Sequence, residues 1–446
     1  MKRWMVALVT FAFLAAACTA GGNDASPSAV DTGASASHAP VTIEMWSAWT
    51  SKAELSDFDK IFASFEKAYP WITVKSVGNV DDTKMLAAIN SGTPPDAALS
   101  FSLDNIGKFC QSGAWQDLTP YMDQSNFDTS QFPPVVEEYT SFGGSRCALP
   151  FLTDAYGLYY NQDMFDKAHI TEPPKTMSEL VDVAKKLTVF NPDGSIKVAG
   201  FVPYMAYYET NVVTISSMFN ARWYSDDGTK SAVNTDPAWK DMANWQKELV
   251  DFYGYDNLQR FVAGQGDEWG SEQDFQTGRV AMTIDGEWRT SDNFMGNPPA
   301  VNYMTAPFPV PDANADMYGM GQVGGTIIGI PKGAPHPEEA WLLVSWMATD
   351  TPTLVYMANT VRNVPTTYDA LSSPDLDVTP QFQTFLDIFA NPNSHYKETS
   401  AIGQADQDLM ASFMEKWQAG KVADLQAGLD DVAKQIDDQL AQAQTP

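Results

Sequence analysis

The chain has 446 residues, with 27 Lys and Arg against 56 Asp and Glu for a formal charge of −29. So acidic a surface repels polyanions, which argues against nucleic acid and anionic lipid headgroups as partners without identifying the ligand. Hydrophobic residues make up 44%, and beyond the N-terminal stretch no segment approaches the length of a membrane span, so the body is expected to fold as two or more domains.

Lys2 and Arg3 precede an apolar run from Val6 to Ala17. That is the length of a signal-peptide core and falls short of the roughly 20 residues a spanning helix needs, so residues 1–17 read as an export signal. The sequence Leu14-Ala-Ala-Ala-Cys18 resembles a bacterial lipobox, with Leu one place earlier than in the commonest form. Cys18 is then the expected lipid-bearing N-terminus; the alternative is a secreted protein cut near the same alanines. Residues 18–40 are small and polar, a flexible tether from the outer face of the cytoplasmic membrane. With Cys18 lipidated, Cys110 and Cys147 are an even pair in an oxidising compartment, and a disulfide between them is expected, two buried thiols being the alternative.

Val41 to Trp46 alternates apolar and polar residues as a half-buried strand does. Leu55, Phe58, Phe62, Phe65 and Tyr69 then recur at helical steps, and Trp71 to Lys75 is a second strand. A short helix with Met85, Leu86 and Ile89 ends at Gly92, ahead of a strand from Asp96 to Phe101. This alternation is the rhythm of a parallel α/β sheet. Gly157 to Tyr160 opens the second half as a strand, and Thr176 with Glu179 is a capping box before Leu180, Val183 and Leu187. Asp236-Pro237 opens a helix with Met242, Trp245, Leu249 and Phe252 on its stripe. Val280, Met282 and Ile284 alternate as a strand, Thr326 to Ile330 forms another, and a helix begins at Pro337. Leu425, Leu429, Val432, Ile436 and Leu440 mark a C-terminal amphipathic helix.

The order of several short motifs carries a resemblance. They are Pro94-Pro-Asp96, Gln111-Ser-Gly-Ala-Trp-Gln-Asp-Leu-Thr-Pro120, Ala148-Leu-Pro-Phe with Tyr159-Tyr-Asn-Gln-Asp163, Pro173-Pro-Lys-Thr176, Phe275-Gln-Thr-Gly-Arg-Val-Ala-Met-Thr-Ile-Asp-Gly-Glu-Trp288, and Pro337-Glu-Glu-Ala-Trp341. From about residue 41 onward the chain resembles the family-one extracellular solute-binding proteins, the group that includes maltose-binding protein. The resemblance implies a two-lobe α/β fold of the periplasmic-binding-protein type (type II), with a ligand cleft between the lobes. Lobe 1 is expected to take residues 41–152 and 326–362, and lobe 2 residues 157–322 and 366–446. Hinge crossings would then fall near Leu152 to Tyr156, Gly321 to Thr326 and Val361 to Thr366. It also implies capture of a sugar or oligosaccharide and its delivery to the permease of an ABC importer.

Sugars present flat C–H patches rimmed by hydroxyls, so a site needs aromatic faces beside short polar acceptors. Trp288 matches a Trp on which the family often stacks a sugar; the alternative is a core Trp. Trp46 and Trp49 stand at the end of the first strand, where α/β sheets present their crevice, so that one of the two is expected at the ligand. Asp104 and Asp154 match acidic ligand positions of the family, Glu209 follows a run of tyrosines, and Trp269 is a further ring. Gly319-Met-Gly-Gln-Val-Gly324 satisfies G-x-G-x-x-G but precedes a strand in place of a helix, so no dinucleotide cofactor is expected. Gly324 and Gly325 read instead as a crossing where backbone approaches the solute. The four histidines have no ligand spacing, so neither a metal nor a cofactor is indicated. No G-x-S-x-G elbow is present, and an enzyme is not expected. A cell-surface glycoside hydrolase, or the same fold with a non-sugar solute, stands as the alternative.

Overall fold

Seven strands build the main sheet in the computed structural model, which describes residues 38–50 and 52–443. The export signal, Cys18 and most of the tether lie outside the described residues. The strands are β1 (Val41–Trp46), β2 (Ile72–Val77), β3 (Ala97–Ser100), β4 (Leu149–Asn161), β5 (Met282–Gly286), β6 (Tyr303–Ala306) and β7 (Val323–Gly329). Their order is β2-β1-β3-β7-β4-β5, with β6 also paired to β4.

β1 runs parallel to β2 and β3. Parallel neighbours need a crossover, and helices Lys52–Ala68 and Asp82–Ser91 supply the two. The second of these ends at Gly92, whose φ of 78° closes the helix in the left-handed conformation. β7 is antiparallel to both β3 and β4.

The chain is α/β in two halves, and β4 belongs to both. Leu149 to Ala155 pair with β7, whereas Tyr156 to Tyr160 pair with β5 and Leu158 to Asn161 with β6. The sequence pattern separates a crossing at 152–156 from a strand at 157–160; the backbone joins them in one 13-residue strand. Being central, β4 is buried on nearly every residue and carries little of the alternation that would mark it.

Two large cores flank this sheet. In one, Phe58, Phe62 and Phe65 of helix Lys52–Ala68 meet Ile43 and Met45 of β1 and Leu343 and Met347 of helix Pro337–Thr349. Helix Pro380–Ala390 buries Phe382, Phe385 and Ile388 in the same core. In the other, Leu180 and Ala184 of helix Met177–Leu187 pack with Trp239, Met242 and Leu249 of helix Ala238–Tyr253 and with Leu429, Val432 and Ile436 near the C-terminus. The Thr176–Glu179 capping box is fully formed. Phe252, expected on the buried stripe, is exposed; Tyr253, one i,i+4 step from Leu249, takes the inner place and receives hydrogen bonds on its hydroxyl from the Gly200 and Phe201 N–H groups.

Cys110, at the end of helix Ile106–Gln111, forms a disulfide with Cys147, just ahead of β4. It closes a loop of sequence separation 37, which in the chain-entropy account contributes about 4 kcal/mol.

Candidate ligand-binding cleft

The segment after β1 turns out at the C-terminal edge of the parallel strands, where such sheets present ligands. It reaches a cavity of about 550 Å³, within the roughly 300–1,000 Å³ span of small-molecule sites. Ala48, Trp49, Thr50 and Glu54 line it together with Phe101, which follows β3. Trp49 is 7% exposed: it packs 4.5 Å from Phe58 and meets Phe101 edge-on at 4.5 Å, leaving Phe101 the more open ring.

A second aromatic group comes from the other half: Tyr208, Trp269, Trp288 and Phe294, with Asn293. Trp269 is 52% exposed and stands edge-on to Tyr208 at 5.1 Å. So large an open indole is what a ligand platform requires and what a core would bury.

Trp288 follows β5 in the turn Glu287–Thr290. Its ring folds back over Gly286, where a Cβ would lie 2.1–2.4 Å from three ring atoms, and meets Tyr156 edge-on at 5.2 Å. Its Nε1 is buried with no hydrogen-bond partner in the chain. Replacing Gly286 with Ala should therefore displace the ring and lower ligand affinity by roughly tenfold, as for losing one stacking contact. Titration calorimetry of the variant checks this, and unchanged affinity would contradict it.

Asp154, Tyr156, Thr326, Val361 and Asn363 complete the lining. Three crossing segments meet here. Asp154 of β4 is in register with Gly324 of β7, and Thr153 exchanges both backbone hydrogen bonds with Val364, at 3.0 and 2.9 Å. Asn363 Nδ2 donates to Asp154 Oδ1 at 2.7 Å and to Glu287 Oε1 at 3.1 Å, while the Ala155 N–H donates to Glu287 Oε2 at 2.7 Å. Burial pushes the Asp154 carboxyl up to about 7. Burial, and then the Asp154 charge, hold Glu287 well above the ordinary carboxylate range. Among the described residues lining the cavity there is no Lys, Arg or His.

Of the residues singled out from sequence, Trp49, Asp154, Trp269 and Trp288 line the cavity. Trp46 does not, and its Nε1 donates to Glu44 at 3.2 Å. Asp104 instead forms an ion pair with Lys397 at 3.2 Å, and Lys397 also holds Asp406 at 2.7 Å. Glu209 is 2% exposed and accepts from Gln273. Gly324 and Gly325 sit in β7 and are not on the lining; a Cβ on Gly325 would fall 2.7 Å from the Leu152 carbonyl, while one on Gly324 would face Asp154 and Tyr156 at 3.4–3.6 Å. Phe101, Tyr156, Phe294 and Asn363 were not singled out, although Phe101 and Tyr156 stand beside readable strand ends. Glu209, Glu268 and Asp285 bring carboxylate oxygens within 4.8 Å of one another, and Arg289 supplies the cation among them.

Two α/β halves threaded by shared strands, with an aromatic, acid-floored cleft where those strands cross, define a two-lobe solute-binding protein. The sequence pattern described as bacterial extracellular solute-binding protein matches residues 49–353, and the chain belongs to that family. It is 23% identical over 307 residues to the maltotriose-binding protein of Pyrococcus abyssi, a match covering 68% of this chain and 62%, less than two thirds, of that protein. In fold it is similar to CpMnBP1 solved with mannotriose bound, with a TM-score of 0.79 and 23% identity over 88% of this chain and 99% of the other. It is also similar to the sugar-binding protein MalE from Xanthomonas citri, with a TM-score of 0.70 and 19% identity over 90% and 98% of the two chains.

Proposed function

We propose that this protein captures a sugar or short oligosaccharide outside the cytoplasmic membrane and delivers it to an ABC permease. The observation that carries this reading is the cavity lining itself. Open rings from both halves, Phe101 and Trp269 above all, suit the C–H faces of a sugar, and Asp154, Asn293 and Asn363 suit its hydroxyls. Among the described residues the lining has two carboxyls, Asp154 and Glu54, and no cation, which disfavours phosphorylated or uronic ligands, because each would add negative charge to a desolvated site. The solute is therefore a neutral sugar.

The segments near residues 152–156, 321–326 and 361–366 act as hinges between lobes, closing Trp49 and Phe101 toward Trp269 and Trp288 around the ligand. The similar proteins named above, one solved with mannotriose bound and one that binds maltotriose, support this reading. Anchoring through Cys18 completes it. Changing Cys18 to Ser should shift the protein from membrane to medium, and unchanged retention would place the anchor elsewhere.

A surface hydrolase would need two carboxyls flanking the scissile bond. Glu287 has each oxygen engaged within the chain and does not line the cavity, but Asp154 and Glu54 both do, so the fate of the bound sugar tells binding from catalysis. A thermal-shift screen of neutral oligosaccharides, each followed by chromatography of the recovered sugar, separates the two. Stabilisation with intact sugar is expected; released product would overturn the transport reading.

A further inference from the structure

One charge cluster beneath the cleft makes no ligand contact of its own. Arg289, 1% exposed, donates from Nε to Asp285 at 2.6 Å, from Nη2 to Glu268 at 2.5 Å, and from Nη1 to the Glu268 carbonyl at 2.9 Å. The same guanidinium lies 5.6 Å from the Trp269 ring and 5.1 Å from the Phe294 ring, both of which line the cavity. Arg289 thus ties the stretch carrying Glu268 and Trp269 to β5.

The cluster holds three carboxyls against this single cation. Asp285 is fixed on β5 and Glu209 in the turn Tyr208–Thr210, but Glu268 lies between Val262 and Met282, where there is neither helix nor strand. Most of the oxygens are served by the chain: Glu209 Oε1 accepts from Gln273, Glu268 Oε2 from Gln265 at 2.6 Å, and Asp285 Oδ1 from the Gly286 N–H at 2.8 Å. Glu209 Oε2 is the exception, buried with no N–H or O–H donor aimed at it. Carboxylate oxygens of Glu209 and Glu268 nevertheless lie within 4.8 Å of one another, and two buried carboxyls that close hold together only with a proton on one of them.

We propose that this proton gates the cleft: while Glu209 is protonated, Arg289 clamps Glu268 and sets Trp269 as a platform, and its loss drives Glu268 outward and takes Trp269 with it. The proposal rests on the sugar-binding reading above for its ligand, though not for its conformational part. Three ionised carboxyls around one guanidinium repel, and of the three only Glu268 lies outside a helix, strand or helical turn. Burial, then the charges of Glu268 and Asp285, hold Glu209 well above the ordinary range. Burial also pushes Glu268 up to about 7 against the pull of Arg289. Other ionisable groups facing the cluster include Tyr156, Tyr159, Tyr207, Tyr208, Asp154 and Asp274. Arg279 gives no second positive charge to it, being held by Asp274 and by the Gly264 and Phe261 carbonyls.

Hydrogen exchange of residues 263–272 in the sugar-free full-length chain, from pH 6 to 9 and corrected for base-catalysed chemistry, reads the clamp directly. Exchange should rise toward the alkaline end of the range in the wild type and stay flat in Glu209→Gln, whose amide remains neutral and donates to Glu268. Sugar affinity should fall by roughly tenfold over the same range in the wild type, about the loss of one stacking ring, and hold steady in the variant. A pH-independent wild-type exchange profile would overturn the gate even if the variant fails to fold, as would the same alkaline loss in both proteins. Restoration of wild-type affinity at pH 9 by added Ca²⁺ would also overturn it, since the cluster would then take a metal cation in place of the proton. A pH-dependent exchange with no sugar bound at any pH would support the clamp and sink the sugar reading.

Discussion

Replacing Trp288 with Ala should lower sugar affinity by roughly ten- to a hundredfold, because ring stacking is worth on the order of 1–3 kcal/mol. The ring is held for this role: Gly286 lets it fold back, Tyr156 meets its face edge-on, and its Nε1 has no partner within the chain. Its removal opens the cavity wall and leaves both cores intact, so the melting temperature should move little. Trp239 is the control. It is fully buried and edge-on to Trp223 at 4.8 Å, and Trp239→Ala should cost about 3–5 kcal/mol of stability through cavity formation. Calorimetry and thermal melting on the two variants give opposite patterns. A Trp288→Ala protein that binds normally and melts early would show the ring to be structural.

Asp154→Asn should weaken binding and strengthen the fold at the same time. The carboxylate is one of two on the cavity lining, with Glu54, and losing a charged hydrogen bond costs on the order of 1.5–3 kcal/mol, again about ten- to a hundredfold in affinity. In the sugar-free protein the same group is a burden. Its folded pKa, raised to about 7 by burial, lies above the unfolded value of about 3.9, so the protonated form is favoured by folding. That contribution is fully present below the unfolded pKa and is lost as pH rises through about 7. The wild type should therefore melt lower at pH 8 than at pH 5, and the Asn variant should lose part of that slope. Asn can still accept from Asn363, which keeps the floor connected. A variant that binds as tightly as the wild type, or that melts lower at pH 8, contradicts this account of the floor.

How much of this was legible beforehand depended on how local the cause was. The capping box at Thr176, the stop at Gly92 and the stripe on helix Lys52–Ala68 are set by neighbours within a turn or two, and each is found as read. Trp49, Asp154 and Trp288 stand near strand ends or crossings, which a pattern reading can place beside a cleft, whereas Trp269 lies on the irregular stretch ahead of β5. Asp104 could not be placed the same way, because Lys397, the partner that occupies it, is almost three hundred positions away in sequence. Glu209 was drawn toward the site by adjacent tyrosines, yet its carboxyl turns inward to Gln273 while Tyr208 beside it reaches the cavity. Asn363 carried no signal at all: its importance comes from bridging Asp154 and Glu287, a relation made only when three crossing segments meet.

The central claim is that a neutral sugar binds between the aromatic groups of the two halves. Titration calorimetry of the exported protein with mannotriose and maltotriose, beside a phosphorylated sugar and a uronic oligosaccharide as anionic controls, tests it most directly. Saturable binding of one neutral oligosaccharide per chain, with no heat from the anions, is the predicted result; anionic binding with silence from every neutral sugar would contradict the account.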